Sequence, residues 1–155
     1  MANKEKYDLV VVGSGPGGYV AAVRAAQLGM NVACIEKEPR LGGVCLNVGC
    51  IPSKALLDPS EYYHLAKQQF ADHGIKTGRV SLDLATMMAR KEKVVEELTA
   101  NVKRLLDGHN IEIIHGMAKL AGSDRVEVTQ NSPGAKKSKE LSLQTKAIIL
   151  ATGGE

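Results

Sequence analysis

Two cysteines separated by four residues, Cys45 and Cys50, are the side chains of this sequence best suited to covalent chemistry. With only one further cysteine, Cys34, the chain has too few for a disulfide scaffold. In a reducing compartment a close pair then points to metal binding or redox exchange. The C-x4-C spacing is wider than the C-x2-C of a zinc ribbon, and no second Cys/His pair stands nearby to complete four ligands. On an ideal helix five residues rise about 7.5 Å, beyond the roughly 7 Å that Cα atoms of a disulfide span. A bridge would therefore need a distorted turn, for which Gly49 and Pro52 offer means, and such strain makes a disulfide easier to reduce. Cys34 lies beside Ile35 in an apolar run and reads as a buried, inert thiol.

The second chemistry-bearing group is the run Gly13-Ser14-Gly15-Pro16-Gly17-Gly18, with the G-x-G-x-x-G spacing at Gly13, Gly15 and Gly18. Alone this spacing is weak; here a strand-like run precedes it, a helix-like run follows, and an acid ends the next strand. Gly13 permits a tight turn, Gly15 lets a pyrophosphate approach the backbone, and Gly18 allows close helix–strand packing. The helix start offers unpaired N–H groups and a positive dipole end to phosphates. Glu36, 18 residues beyond Gly18, can accept hydrogen bonds from ribose hydroxyls and would repel a 2′-phosphate, which disfavours NADP. The loop does not separate NAD from FAD, since both carry the ADP part.

The elements that must position these residues follow from periodicity. Tyr7 to Val12 is a short apolar run bounded by Gly13, as expected of a strand buried on both faces. Pro16 to Leu28 reads as a helix ended by Gly29, and Asn31 to Glu36 as a second strand, giving a βαβ unit and a parallel sheet. After a loop over Arg40 to Gly43, the cysteine stretch leads into a helix through Leu57. Asp58-Pro59-Ser60 is expected to break it before a further helix from Glu61 to Ala71. A long helix is expected from Leu82 to Asp107, with a seam of Leu84, Met88, Lys91, Val95, Leu98, Val102 and Leu105. Packing against a neighbouring helix explains that seam better than a coiled coil, which needs more heptads.

Ile111 to His115 is the next strand. Alternating segments at Ala118–Leu120, Val126–Thr129 and Leu141–Leu143 suggest an antiparallel meander, with a polar turn from Asn131 to Lys137. Ala147 to Leu150 forms the last strand, ending in Ala151-Thr152-Gly153-Gly154. The fold class is thus α/β, Rossmann-like, with a long helical hairpin and a β-meander.

Composition excludes several classes. Hydrophobic residues make up 44% and charged residues 24% of the 155, the mix of a globular domain. The net charge of +3 is unclustered and the chain has no Trp and one Phe, so nothing suggests nucleic acid. No apolar run reaches membrane-spanning length. Met1 to Lys6 resembles neither a secretory signal nor a transit peptide, and the expectation is a cytoplasmic protein. His64, His73, His109 and His115 have no acid or nucleophile pattern around them.

The stretch Gly42-Gly43-Val44-Cys45-Leu46-Asn47-Val48-Gly49-Cys50-Ile51-Pro52-Ser53-Lys54 resembles the redox-active site of the pyridine nucleotide-disulfide oxidoreductases. Its continuation, Pro52-Ser53-Lys54-Ala55-Leu56-Leu57, is most similar to the dihydrolipoamide dehydrogenases. Glutathione-type reductases usually show Pro-Lys-Lys there, and mercuric reductases share Pro-Ser-Lys but not typically Ala-Leu-Leu. The resemblance implies that Cys45 and Cys50 form the catalytic disulfide, Cys45 as interchange thiol and Cys50 as the thiolate against the flavin. It further implies an FAD surface made of Gly13, Ser14, Gly15, Pro16, Gly17, Gly18, Glu36, Lys37, Gly42, Gly43, Val44, Cys45, Cys50, Lys54, Ala118, Thr152 and Gly153. Lys54 would sit near the flavin, and Ala118 would pair with adenine through its backbone.

The implied reaction is oxidation of dihydrolipoamide, carried on a lipoyl domain, to lipoamide with reduction of NAD. Implied partners are a 2-oxo acid dehydrogenase complex or the glycine cleavage system, and a second copy in a homodimer, with neither nucleic acid nor membrane. Residues 1–155 would be the first segment of the FAD-binding domain, with the NAD-binding and dimerisation domains outside this chain. Alone it would then be inactive in the full reaction. The alternatives are another FAD disulfide reductase, of mercuric or glutathione type, or a non-catalytic nucleotide-binding fragment.

Overall fold

The computed structural model describes residues 5–130 and 139–154. The expected turn from Asn131 to Lys137 lies outside the described residues. In chain order the elements are β1 (Glu5–Val12), α1 (Pro16–Gln27), β2 (Val32–Glu36), α2 (Gly43–Asn47), α3 (Cys50–Gln68), α4 (Leu84–Gly108), β3 (Glu112–His115), β4 (Met117–Leu120), β5 (Arg125–Gln130) and β6 (Lys139–Leu150). They form one six-stranded sheet in the order β3-β2-β1-β6-β5-β4. The strands β3, β2, β1 and β6 run parallel, while β4 and β5 continue antiparallel from β6. This is a Rossmann-like α/β fold with a β-meander.

Burial explains the two faces. Along β1 the side chains alternate, so Leu9 and Val11 enter a cluster with Ala22 and Ala25 of α1, Leu46 of α2, and Val102 and Leu106 of α4. Val10 points the other way, into a cluster with Tyr7, Ala33, Ile35 and Ile114 that Val126 and Val128 of β5 close over. Every residue of β2 is buried, as expected of a central parallel strand.

Three expectations change. The third meander strand and the last apolar strand are one continuous strand, β6, which pairs with β5 over residues 139–144 and with β1 over residues 143–150. The seam of α4 is buried only in its second half, as Val95, Thr99, Val102 and Leu106. Leu84 and Met88 are exposed, and the buried position is Leu106 rather than Leu105. The helix begins where Asp83 caps it, accepting from the Thr86 N–H at 3.1 Å.

The third change concerns Asp58-Pro59-Ser60, which does not break the helix: α3 runs through Pro59 to Gln68. Proline removes the N–H that would bond to the carbonyl four residues back, that of Ala55. Here Arg90 of α4 donates its Nη1 to the Ala55 carbonyl at 3.1 Å. The same guanidinium reaches Asp58 at 3.4 Å, so the neighbouring helix supplies what proline takes away.

Candidate functional site

The carboxyl ends of the parallel strands β1, β2 and β6 meet at one edge of the sheet, where open α/β sheets place their ligands. Backbone bonds stitch these ends together. Gly13 N–H donates to the Ile35 carbonyl, Ala151 N–H to that of Val12, and Gly116 N–H to that of Glu36, each at 2.8 Å. Above them opens a cleft of about 960 Å³, room enough for a cofactor.

The glycines of the loop divide by what a Cβ would meet. At Gly18 it would lie 1.9 Å from the Gly13 carbonyl oxygen, and at Gly13, whose φ is +104°, 2.3 Å from that of Ala151. Those two glycines are demanded by the fold. At Gly17 nothing lies within 4 Å, and at Gly15 only the Gly43 Cα does, at 3.9 Å. Folding places no steric demand on these two, yet they face the cleft at the start of α1, where N–H groups lack helical partners. A surface left bare of side chains beside free N–H groups fits a pyrophosphate.

Glu36 is buried at the cleft floor. Its Oε2 accepts from the Ser14 N–H at 2.9 Å and the Ser14 hydroxyl at 2.5 Å, and its Oε1 from the Glu38 N–H at 3.0 Å. Burial pushes this carboxyl upward, but the donors at Glu38, Ser14 and Lys37 outweigh it and hold its pKa below the usual value. It is therefore an anion fixed in place before any ligand arrives. Ser14 is wholly buried, and its hydroxyl also accepts from the Gly42 N–H at 3.2 Å. Its side chain is a strut between two loops.

The two cysteines of the motif part company at the cleft. Cys45 lines it; Cys50 does not, and both are free thiols. A side-chain hydrogen bond with Cys50 and then desolvation raise the Cys45 pKa, while the Lys54 charge draws it down, so Lys54 belongs to the thiol pair. The distorted turn that a bridge needs is present. The chain breaks between α2 and α3 at Val48 and Gly49, with φ −107° and ψ −98° at Gly49. Pro52 has no part in the break; it sits in the first turn of α3, where a missing N–H costs nothing. Cys34 is buried, and desolvation, then the charge of Glu36, push its thiol up to about 12.

Of the other residues expected at the cofactor, Gly13, Ser14, Gly15, Pro16, Gly17, Glu36, Lys37, Gly43, Val44, Ala118, Thr152 and Gly153 line the cleft. Gly18 and Gly42 are buried behind it, and Lys54 stands with Cys50 outside it. The sequence reading missed Ile35, Pro39, Arg40 and Asn47 as cleft walls. Only the position of Pro39 and Arg40 just beyond the Glu36 strand end gave a signal for them. His115 braces the turn after β2, its Nδ1 3.1 Å from the Glu38 carbonyl oxygen. Among the described residues no group of His, Cys, Asp or Glu side chains could hold a metal ion, and no helix is long and apolar enough to cross a membrane.

A dinucleotide-type cleft with Cys45 in its wall and Cys50 just outside it is matched by a known family. The chain belongs to the pyridine nucleotide-disulphide oxidoreductase family, whose model matches residues 7–155. It is 46% identical over 154 residues to leghemoglobin reductase of Vigna unguiculata, covering 99% of this chain and 28% of that protein. It is 47% identical over 148 residues to dihydrolipoyl dehydrogenase of Manduca sexta, covering 96% and 29%. With mitochondrial dihydrolipoyl dehydrogenase of Homo sapiens it shares 46% over 149 residues, covering 96% and 28%. The chain thus spans under a third of the length of these curated relatives.

The expected cytoplasmic location is overturned by the wider set of curated relatives, most of which are mitochondrial by name. The residues that build the cleft and the thiol pair carry no address, so composition and cysteine count were no guide to compartment.

Proposed function

We propose that residues 1–155 form the first segment of an FAD-binding domain, and that Cys45 and Cys50 are its catalytic thiol–disulfide pair. The observation that carries this reading is the position of Cys45, which lines the dinucleotide cleft just before the chain breaks at Gly49 and α3 begins at Cys50. The bare surface at Gly15 and Gly17, the N-terminus of α1 and the anionic Glu36 would hold the ADP half of FAD. Ala118, Thr152 and Gly153 would flank it, with Val44 and Cys45 towards the flavin half. When bound, the flavin supplies a two-electron carrier between protein thiols and a nicotinamide.

The protein's own part is thiol exchange. In the oxidised pair, a thiolate of dihydrolipoamide attacks Sγ of Cys45, the Cys45–Cys50 bond breaks, and Cys50 leaves as thiolate. The second substrate thiol then attacks its own mixed-disulfide sulfur, releasing cyclic lipoamide and leaving Cys45 reduced. Lys54, one turn beyond Cys50 on α3, would set a positive charge beside the thiolate that forms. The names of the relatives support a dihydrolipoyl substrate; a lipoyl-domain partner, NAD as final acceptor and a homodimer in the longer assembly complete the proposal.

The cofactor assignment is tested by titrating the chain with FAD and following flavin fluorescence. Gly15→Val should leave the circular dichroism unchanged, since a Cβ there would meet nothing nearer than the Gly43 Cα at 3.9 Å, and should abolish quenching. Quenching by a folded Gly15→Val chain equal to the parent's would remove FAD from this loop.

A further inference from the structure

Between the two cysteines stands Asn47, the last residue of α2. Its Nδ2 donates to the Leu41 carbonyl at 3.0 Å and to the Gly43 carbonyl at 2.9 Å. Its Oδ1 is buried and has no hydrogen-bond partner. The turn it grips is itself tied down, because the Gly42 N–H donates to the Ser14 carbonyl at 3.1 Å and to the Ser14 hydroxyl at 3.2 Å. Ser14 in turn donates to Glu36. A continuous run of bonds therefore leads from the carboxylate at the nucleotide end to the residue two places after Cys45 and three before Cys50.

Besides Asn47, helix α2 is held by Leu46 in the core cluster and by Cys45 packed against it. It is five residues long, Leu46 is its one buried residue, and it has no side-chain N-cap; so short a helix has no stability of its own. An apolar side chain at this position would avoid leaving a buried acceptor unpaired, which most native sites do. What such a side chain lacks is the pair of N–H donors that fasten α2 to the turn.

We propose that Asn47 is a positioning residue for the Cys45–Cys50 pair, fastening α2 so that the Cys45 thiol is held within reach of Cys50. The inference rests on the reading of that pair as redox-active. Disulfide formation within one chain depends on the effective concentration of one thiol at the other. Freeing α2 gives the dithiol form more conformations and so disfavours the disulfide.

The test is an equilibrium titration of the 155-residue chain in mixtures of reduced and oxidised glutathione, with the bridged fraction measured by mass after alkylation. Each oxidation joins Cys45 to Cys50, releases two protons to the reduced glutathione formed, and converts one glutathione disulfide into two thiols. Asn47→Asp and Asn47→Leu, which lack the donors, should lower the constant for bridging about tenfold, a rise of about 30 mV in midpoint potential. Asn47→Gln, which keeps the amide, should fall between them and the parent. A residue that only adds stability would shift the melting temperature and leave this constant in place. Constants for folded Asn47→Asp and Asn47→Leu within twofold of the parent's would overturn the proposal. If Asn47→Leu does not fold, the near-isosteric Asn47→Asp decides alone. A parent chain that never bridges Cys45 to Cys50 would overturn the redox reading itself, and this inference with it.

Discussion

The two ends of the cleft are held in opposite ways. At the nucleotide end, Ser14 and Glu36 are buried, their polar atoms are paired with each other and with nearby N–H groups, and Gly13 and Gly18 fit backbone against backbone. At the cysteine end a five-residue helix meets a break at Gly49, Cys50 is exposed, and Asn47 leaves an acceptor unpaired. A surface that binds by shape must be set beforehand, whereas residues that exchange covalent bonds need local freedom to change partners. Departures from ideal local structure gather where the chemistry is proposed.

That contrast is sharpened first by Gly18→Ala, which should have the largest effect. Its Cβ would meet the Gly13 carbonyl oxygen, which cannot move without shifting the loop. A loss of about 3 kcal/mol or more is expected in urea unfolding, towards the upper end of overpacking costs. Next comes Arg90→Leu, which leaves the buried Ala55 carbonyl without a donor and should cost about 1–2 kcal/mol. Pro59→Ala in the same chain restores the backbone N–H and should recover most of that loss. A double-mutant cycle showing no coupling between positions 59 and 90 would contradict the account of α3.

Smaller effects concern protons. Cys34, held neutral up to about pH 12, should resist iodoacetamide in the native chain at pH 8 while Cys45 and Cys50 react. Because its folded pKa is raised, its contribution to stability is whole below the unfolded thiol value and is lost as pH climbs towards about 12. Glu36 runs the other way. Its folded pKa is lowered, so its contribution is present above the unfolded carboxyl value and is lost as pH falls through the folded one. Glu36→Gln should flatten the acid side of the stability profile, as followed by melting temperature between pH 3 and 6.

Much of this was legible in the sequence because local rules coincide with the fold there. The β1–loop–α1–β2 unit follows from an apolar run, a glycine spacing and an acid at fixed distance, and each device is short-range. A distorted turn does fall at Gly49, one of the two residues that the cysteine spacing pointed to; Pro52, the other, lies inside α3. Pro59 misled because its compensation comes from Arg90, distant in sequence and invisible to any local pattern. The α4 seam misled because periodicity tells which side chains share a face and not how far along the helix a neighbour extends. Asn47 escaped because an asparagine between two cysteines has no signature; its meaning lies in two carbonyls of a turn. The compartment escaped because no residue of the cleft encodes it.

The central claim is that Cys45 and Cys50 are a reversible pair that exchanges with a dithiol. Oxidised chain should give a peptide map with one Cys45–Cys50 bridge and Cys34 as a free thiol. Adding dihydrolipoamide to that oxidised chain should free both cysteines and release an equal amount of lipoamide. A bridge to Cys34, or a Cys45–Cys50 bridge that dihydrolipoamide leaves intact in folded protein, would contradict the account.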